Sequence, residues 1–132
     1  MTAILWHPRP GFIWDWWAVD AHGYLVQFSC GPAPEHLRAH VDRVDAAAAW
    51  AEENRPGWFA DAPPSLHAFS CHGELPVYTR KSVPDSPLRL SDAPAAVADV
   101  AALVELRRAV GDVRTVYLDE GWVQAARLES PG

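Results

Sequence analysis

The sequence predicts an α+β fold: an antiparallel sheet of three hairpins with two helices packed on one face, in the order ββ-α-ββ-α-ββ. Three observations lead there. Runs of β-favouring residues flank short glycine-containing turns three times, each a hairpin signature. Two other stretches repeat apolar residues at helical spacing. The 132 residues, 49% hydrophobic and 21% charged, are enough for one core, so a single domain spans 1–132. Helices laid on one side of an antiparallel sheet bury both kinds of apolar face at once.

Residues 1–11 read as an irregular lead-in, broken by Pro8, Pro10 and Gly11. The first hairpin joins Phe12–Val19 to Tyr24–Cys30 through Asp20-Ala21-His22-Gly23. Gly23 supplies a positive φ, and the Asp20 side chain caps the turn. If Val19 pairs with Tyr24, then Trp17 opposes Val26, Asp15 opposes Phe28 and Ile13 opposes Cys30. Alternation then places these residues on the core face. Phe12, Trp14, Trp16, Ala18, Leu25, Gln27 and Ser29 fall on a mixed face, open to a covering segment or a partner.

Gly31-Pro32-Ala33-Pro34 reads as a turn feeding a helix over 34–54. Its stripe is Leu37, Val41, Val44, Ala48 and Ala51, and Pro56-Gly57 ends it. Residues 54–65 have no periodicity, and Trp58 and Phe59 there are expected to anchor the loop. Leu66–Cys71 and Leu75–Arg80 form the second hairpin around His72-Gly73. A proline-rich traverse leads to a helix over 94–110, capped by Ser91 or Asp92 and stopped by Gly111. Val97, Val100, Leu103 and Val104 supply its buried side. Val113–Leu118 and Trp122–Leu128 complete a third hairpin around Asp119-Glu120-Gly121.

A net charge of −6 argues against general nucleic-acid binding, which needs a basic footprint. It suits a basic protein partner instead. No basic segment followed by a long apolar run opens the chain, and no stretch approaches the roughly 20 apolar residues of a membrane span. The cytoplasm is therefore the expected compartment. Cys30 and Cys71 make no disulfide framework and are expected as buried, reduced thiols.

Asp15-Trp16-Trp17-Ala18-Val19-Asp20-Ala21-His22-Gly23 resembles an opening shared by small bacterial proteins, D-W-x-A-x-D-x-x-G before an apolar strand ending in Phe. Arg80 to Pro94 is similar to a second shared run: a basic pair before a proline, then Pro-Leu, then an Asp-x-Pro helix start. The two stretches cover about a quarter of the chain. Proteins of this size and style are similar to the immunity partners of bacterial toxins. The resemblance implies a fold family more than an activity, and the leading expectation of a binding role comes from it. The shared Gly, Pro, Trp and Asp positions are ones that a scaffold needs.

Candidate chemistry is sparse. His36 and His40, four apart on a helix, could share a face as zinc ligands with Cys71-His72. No CxxC or HExxH accompanies them, so no metal site is expected. Cys30 or Cys71 with His67 or His72 could mimic a thiol–imidazole pair, but nothing supplies an oxyanion hole. Asp15, placed on the core face, must be paired or hydrogen-bonded. It fixes the sheet or, less simply, acts as an acid or base in a tryptophan-lined cleft. No phosphate loop, nucleophile elbow or other cofactor motif occurs. Two functions follow from these residues: a partner-binding immunity protein, or a small-ligand or small-enzyme domain around Asp15. Tryptophan platforms also stack sugars, although such modules usually carry a secretory signal.

The expected partner surface consists of Trp14 and Trp16 on the mixed face, Trp58 and Asp61 on the loop, and Glu52 and Glu53 at the helix end. Indoles at the centre would supply binding energy, and the acidic rim would speed encounter with a basic toxin domain. The seven tryptophans of the chain make such a surface affordable while leaving others for the core.

Overall fold

The structure is a computed structural model and describes residues 5–6, 15–29, 32–55, 62–71, 77–118 and 122–123. It is α+β. A five-stranded mixed sheet runs in the order β2-β3-β5-β6-β7: β2 Asp15–Val19, β3 Leu25–Ser29, β5 His67–Cys71, β6 Val77–Ser82 and β7 Thr115–Tyr117. A second, two-stranded pairing joins β1 Leu5–Trp6 to β4 Ala33–Pro34, inside the expected lead-in and turn. The helices α1 Val41–Asn54 and α2 Ala95–Ala101 pack on each other and on β2.

The sheet is not antiparallel throughout. β2–β3, β5–β6 and β6–β7 are antiparallel, but β3 and β5 run parallel. The cause lies in the connection, because the chain passes through α1 before returning to the sheet. A helical crossover brings the next strand back in the same direction, whereas a tight turn reverses it.

The first hairpin forms with its register one residue from expectation. Val19 faces Leu25, Ala18 faces Val26, Trp17 faces Gln27, Trp16 faces Phe28 and Asp15 faces Ser29. Tyr24 continues this register opposite Asp20, whose N–H donates to its carbonyl, and on its other side it bridges to Arg89. The slip exchanges partners, so Trp16 shares a face with Phe28, while Asp15 sits beside Trp17 and Gln27. Both faces are covered: from Trp16 to Val19 and from Leu25 to Phe28 every residue is buried. Runs of consecutive buried residues suit strands covered on both sides.

One face carries the aromatic centre of the core. Trp16 stacks on Phe28 at 4.3 Å and 16°, Phe28 stacks on Phe69 at 5.7 Å, and Tyr78 meets both Trp16 and Phe28 edge-on. Trp16 Nε1 donates to the Tyr78 hydroxyl, which donates in turn to the Pro32 carbonyl. On the other face Trp17 Nε1 donates to Gln27 Oε1. Both indole N–H groups are thus satisfied without water, as burial requires.

The first helical stretch begins as a 3-10 segment, Glu35–His40, before turning α-helical at Val41. Three residues per turn rotate the expected stripe. Leu37, Val44, Ala47 and Ala51 are buried, while Val41 points outward at 38% exposed. The second helix ends at Ala101, well before Gly111, with Pro94 at its N-terminal cap. Val19 N–H donates to the Val104 carbonyl and Leu106 N–H to the Val19 carbonyl. The open edge of β2 thus competes for this backbone and draws 104–106 out as a sheet extension. Val97, Val100 and Val104 are nevertheless buried, as their spacing predicts.

The expected third hairpin is not confirmed: its first strand, β7, pairs antiparallel with β6. Val123 instead bridges antiparallel to Leu106, and the Arg107 N–H donates to the Trp122 carbonyl at 2.7 Å. The turn expected around His72-Gly73 and the strand expected beyond Val123 lie outside the described residues.

Candidate functional site

The first turn is built around Asp20. Gly23 adopts φ +88°, a left-handed conformation that a side chain would strain. Asp20 N–H donates to the Tyr24 carbonyl and Gly23 N–H to the Asp20 carbonyl. Asp20 Oδ1 accepts from the His22 and Tyr24 amides at 2.9 and 3.0 Å. This is the cap that the sequence predicts. Oδ2 reaches across the chain to the Val110 amide at 3.0 Å. Asp20 is 5% exposed, and three backbone donors compensate the burial of its carboxylate.

Two further segments close on this turn. Residues 88–90 run beside it: Leu25 N–H donates to the Leu88 carbonyl and Leu90 N–H to the Gly23 carbonyl. The Arg89 guanidinium lies 4.6 Å above the Tyr24 ring, donating to the Tyr24 hydroxyl and the His22 carbonyl. Residues 104–113 run along the other side, tied by Val110 to Asp20 and by the Ala21 N–H to the Arg108 carbonyl.

Between them lies a cleft of about 400 Å³. Asp20, His22 and Tyr24 border it from the turn, and His67 lines it from the start of β5. The traverse after β6 contributes Val83, Pro84 and Pro87, and the loop after α2 contributes Ala109, Gly111, Asp112 and Val113. Among the described residues, two carboxylates border the cleft and no lysine or arginine lines it.

His67 is the anomalous member. It is 3% exposed, packs edge-on to Tyr24 at 6.3 Å, and its Nδ1 is buried with no hydrogen-bond partner. Burial lowers its pKa below the usual 6.5, opposed by the nearby Asp20 charge and reinforced by Arg80. The imidazole is therefore neutral at pH 7, which spares the fold a buried, unpaired cation. A buried polar atom without a partner is rare and tends to mark a place where something else belongs.

Of the expected partner surface, Trp16 must be withdrawn. It is 0% exposed and stacked in the aromatic core, so it has no area to offer a partner. The cause is that both faces of this hairpin are covered, so neither Trp16 nor Trp17 on the opposite face is open to a partner. Glu52 and Glu53 are exposed at the end of α1, where Glu52 pairs with Arg55. Trp14, Trp58 and Asp61 lie outside the described residues.

Asp15 is half-buried at the start of β2 rather than enclosed by the core. The buried carboxylate of this hairpin is Asp20. His36 and His40 stand on the 3-10 segment, where four residues rotate the side chains about a third of a turn apart. His36 Nε2 is committed to the Leu103 carbonyl at 2.8 Å. Burial lowers the His36 pKa, the Leu103 carbonyl raises it, and His40 lowers it further. Cys71 is buried, four residues along the same strand as His67. At that spacing they stand about 13 Å apart, too far for a thiol–imidazole pair. Cys30 and His72 lie outside the described residues. Among the described residues, no three His, Cys, Asp or Glu side chains group as a metal site, and no helix is long and apolar enough to cross a membrane.

Sequence reasoning singled out Asp20 as a turn residue and His67 only as a possible partner for a cysteine. The signal that joins them, the docking of 83–90 and 104–113 against one turn, is tertiary. Set against protein-family models, curated proteins and solved structures, the chain finds no match in any of the three.

Proposed function

We propose that this chain is a binding protein acting in the cytoplasm. It engages a basic protein in the manner of an immunity protein occluding a toxin, and it centres that contact on the Asp20–His67 cleft. The observation that carries this is the cleft itself: a concave site with apolar walls, two bordering carboxylates and a buried imidazole lacking a partner. The exposed Glu52 and Glu53, in a chain of net charge −6, supply long-range attraction for a basic partner. Activity consists of occupancy, without turnover and without a cofactor.

The test is co-expression with the protein encoded beside its gene. Relief of that protein's toxicity, together with a stable complex whose association slows as salt rises, is the expected result. A complex whose association rate ignores salt, or a neighbour that is unaffected and unbound, overturns the proposal. The second reading is a small-ligand or small-enzyme domain. His67 favours it, since a buried ring with an unpartnered nitrogen lines a pocket and not a flat surface. A thermal-shift screen in which small molecules, but not the neighbouring protein, raise the melting temperature would select it.

A further inference from the structure

We propose that the Asp20–His67 cleft is a receptor for an organic cation, a guanidinium or alkylammonium group held by Asp112 and Asp20 against the His67 ring. This rests on the binding role assigned above and names the group recognised.

The cleft has the chemistry for it. Of the two carboxylates at its border, Asp112 is exposed and Asp20 is locked in place. Asp20 Oδ1 spends both its lone pairs on the His22 and Tyr24 amides, whereas Oδ2 takes only the Val110 amide. One acceptor position on Oδ2 therefore remains, on a side chain that backbone bonds hold still. An acceptor fixed before the ligand arrives loses no side-chain freedom on binding.

The arginine nearest the turn does not fill the role. Arg89 is engaged with the Tyr24 ring, the Tyr24 hydroxyl and the His22 carbonyl, and it does not line the cleft. His67 is the independent sign that the cleft is built for an occupant. It is 97% buried with an orphaned Nδ1, which a well-packed core would have matched with a donor or replaced by carbon. A neutral ring also tolerates a cation beside it, as an imidazolium would not. Val83, Pro84 and Pro87 give the aliphatic stem of such a ligand an apolar wall.

The probes are capped arginine and capped lysine, with capped citrulline as the neutral isostere of arginine, titrated into 15N-labelled protein. The expected result is saturable shifts of the Gly111, Asp112 and Tyr24 amides with a Kd on the order of 1 mM for both cations. Citrulline should bind at least tenfold more weakly. Asp112→Asn, on an exposed side chain, should weaken the cations about tenfold while leaving the melting temperature unchanged. Equal shifts from citrulline, or cation binding indifferent to Asp112→Asn, would overturn the proposal.

The source of the cation is read from a second arm. If it is a side chain of the protein partner, capped arginine competes with that partner and Asp112→Asn weakens the complex. If it is a small molecule, capped arginine binds and the partner, if any, ignores it. A partner that binds while the cleft takes no cation leaves the immunity reading standing and sinks this one. Cation binding with no protein partner does the reverse.

Discussion

Replacing Asp20 by alanine should be the most damaging single change in the first hairpin turn. The carboxylate accepts three backbone N–H groups, from His22, Tyr24 and Val110. His22 is exposed, and water can replace that bond at little cost. Tyr24 is half-buried and Val110 is 0% exposed, so their donors stay partly or wholly unpaired, at about 1–3 kcal/mol each. Removing the carboxylate also removes its own desolvation cost, so the sum falls near the lower end, about 3 kcal/mol. An unfolding entropy of about 2.1 cal/mol/K per residue makes each kcal/mol worth about 4 °C for a chain of this length. Asp20→Ala should therefore lower the melting temperature by about 10 °C, read by circular dichroism. Asp20→Asn keeps an acceptor for the two turn amides but sets an amide N–H against Val110, so it should lose about half as much. Melting within about 2 °C of the wild type for Asp20→Ala, or equal losses for the two variants, would show that the Asp20 bonds do not hold these segments together. Asp15→Ala, at the half-buried strand start, should cost less than Asp20→Ala.

Tyr78→Phe removes a hydroxyl that both accepts from Trp16 and donates to Pro32, and should destabilise by about 1–2 kcal/mol in urea unfolding. Trp16→Ala should cost about 3–5 kcal/mol, seen as a fold defect before any binding defect, because the indole is wholly buried. Gly23→Ala should cost about 1–2 kcal/mol from its positive φ alone, since the added Cβ would meet only Arg89 Nη1 at 3.9 Å. For His36 and His67 the folded pKa lies below the unfolded 6.5, so the unfolded chain takes up protons first as pH falls. Stability should thus be undiminished above about pH 6.5 and decline below it, through the folded values. Asp20 and Arg80 act on His67 in opposite directions, and His67→Gln should flatten that decline in melting scans from pH 7.5 to 5.

Much of the fold was legible because its signals are local. Gly23 and Asp20 mark their turn through backbone needs that only those residue types meet. The helix over 34–54 shows in the spacing of Leu37, Val44 and Ala51. The register was not legible, since Val19-Asp20 and Gly23-Tyr24 allow pairings one residue apart. The choice falls to the bonds of the turn itself: Asp20 N–H donates to the Tyr24 carbonyl, which closes a loop over 21–23 and leaves Leu25 to face Val19. That slip set the neighbours of Trp16, while the covering of both faces, equally tertiary, buried it. Local pattern also overextended α2, because nothing in Val104-Glu105-Leu106 announces that the edge of β2 will claim its backbone. The parallel pairing of β3 and β5 could have been read from the strand–helix–strand order, which favours a crossover over a hairpin. The cleft had no sequence signature at all. Its members come from four segments separated by tens of residues, and His67 becomes notable only once its nitrogen is seen to be buried without a partner.

The central claim, that recognition is focused on the cleft at Asp20 and His67, is tested most directly by hydrogen–deuterium exchange. The comparison is the free protein against its complex with the protein encoded beside its gene. The account predicts slowed exchange in 20–24, 65–67, 83–87 and 109–113, the segments that border the cleft, with little change across the aromatic core of β2 and β3. Protection confined to the end of α1 and the loop after it, with the cleft segments exchanging as in the free protein, would contradict it.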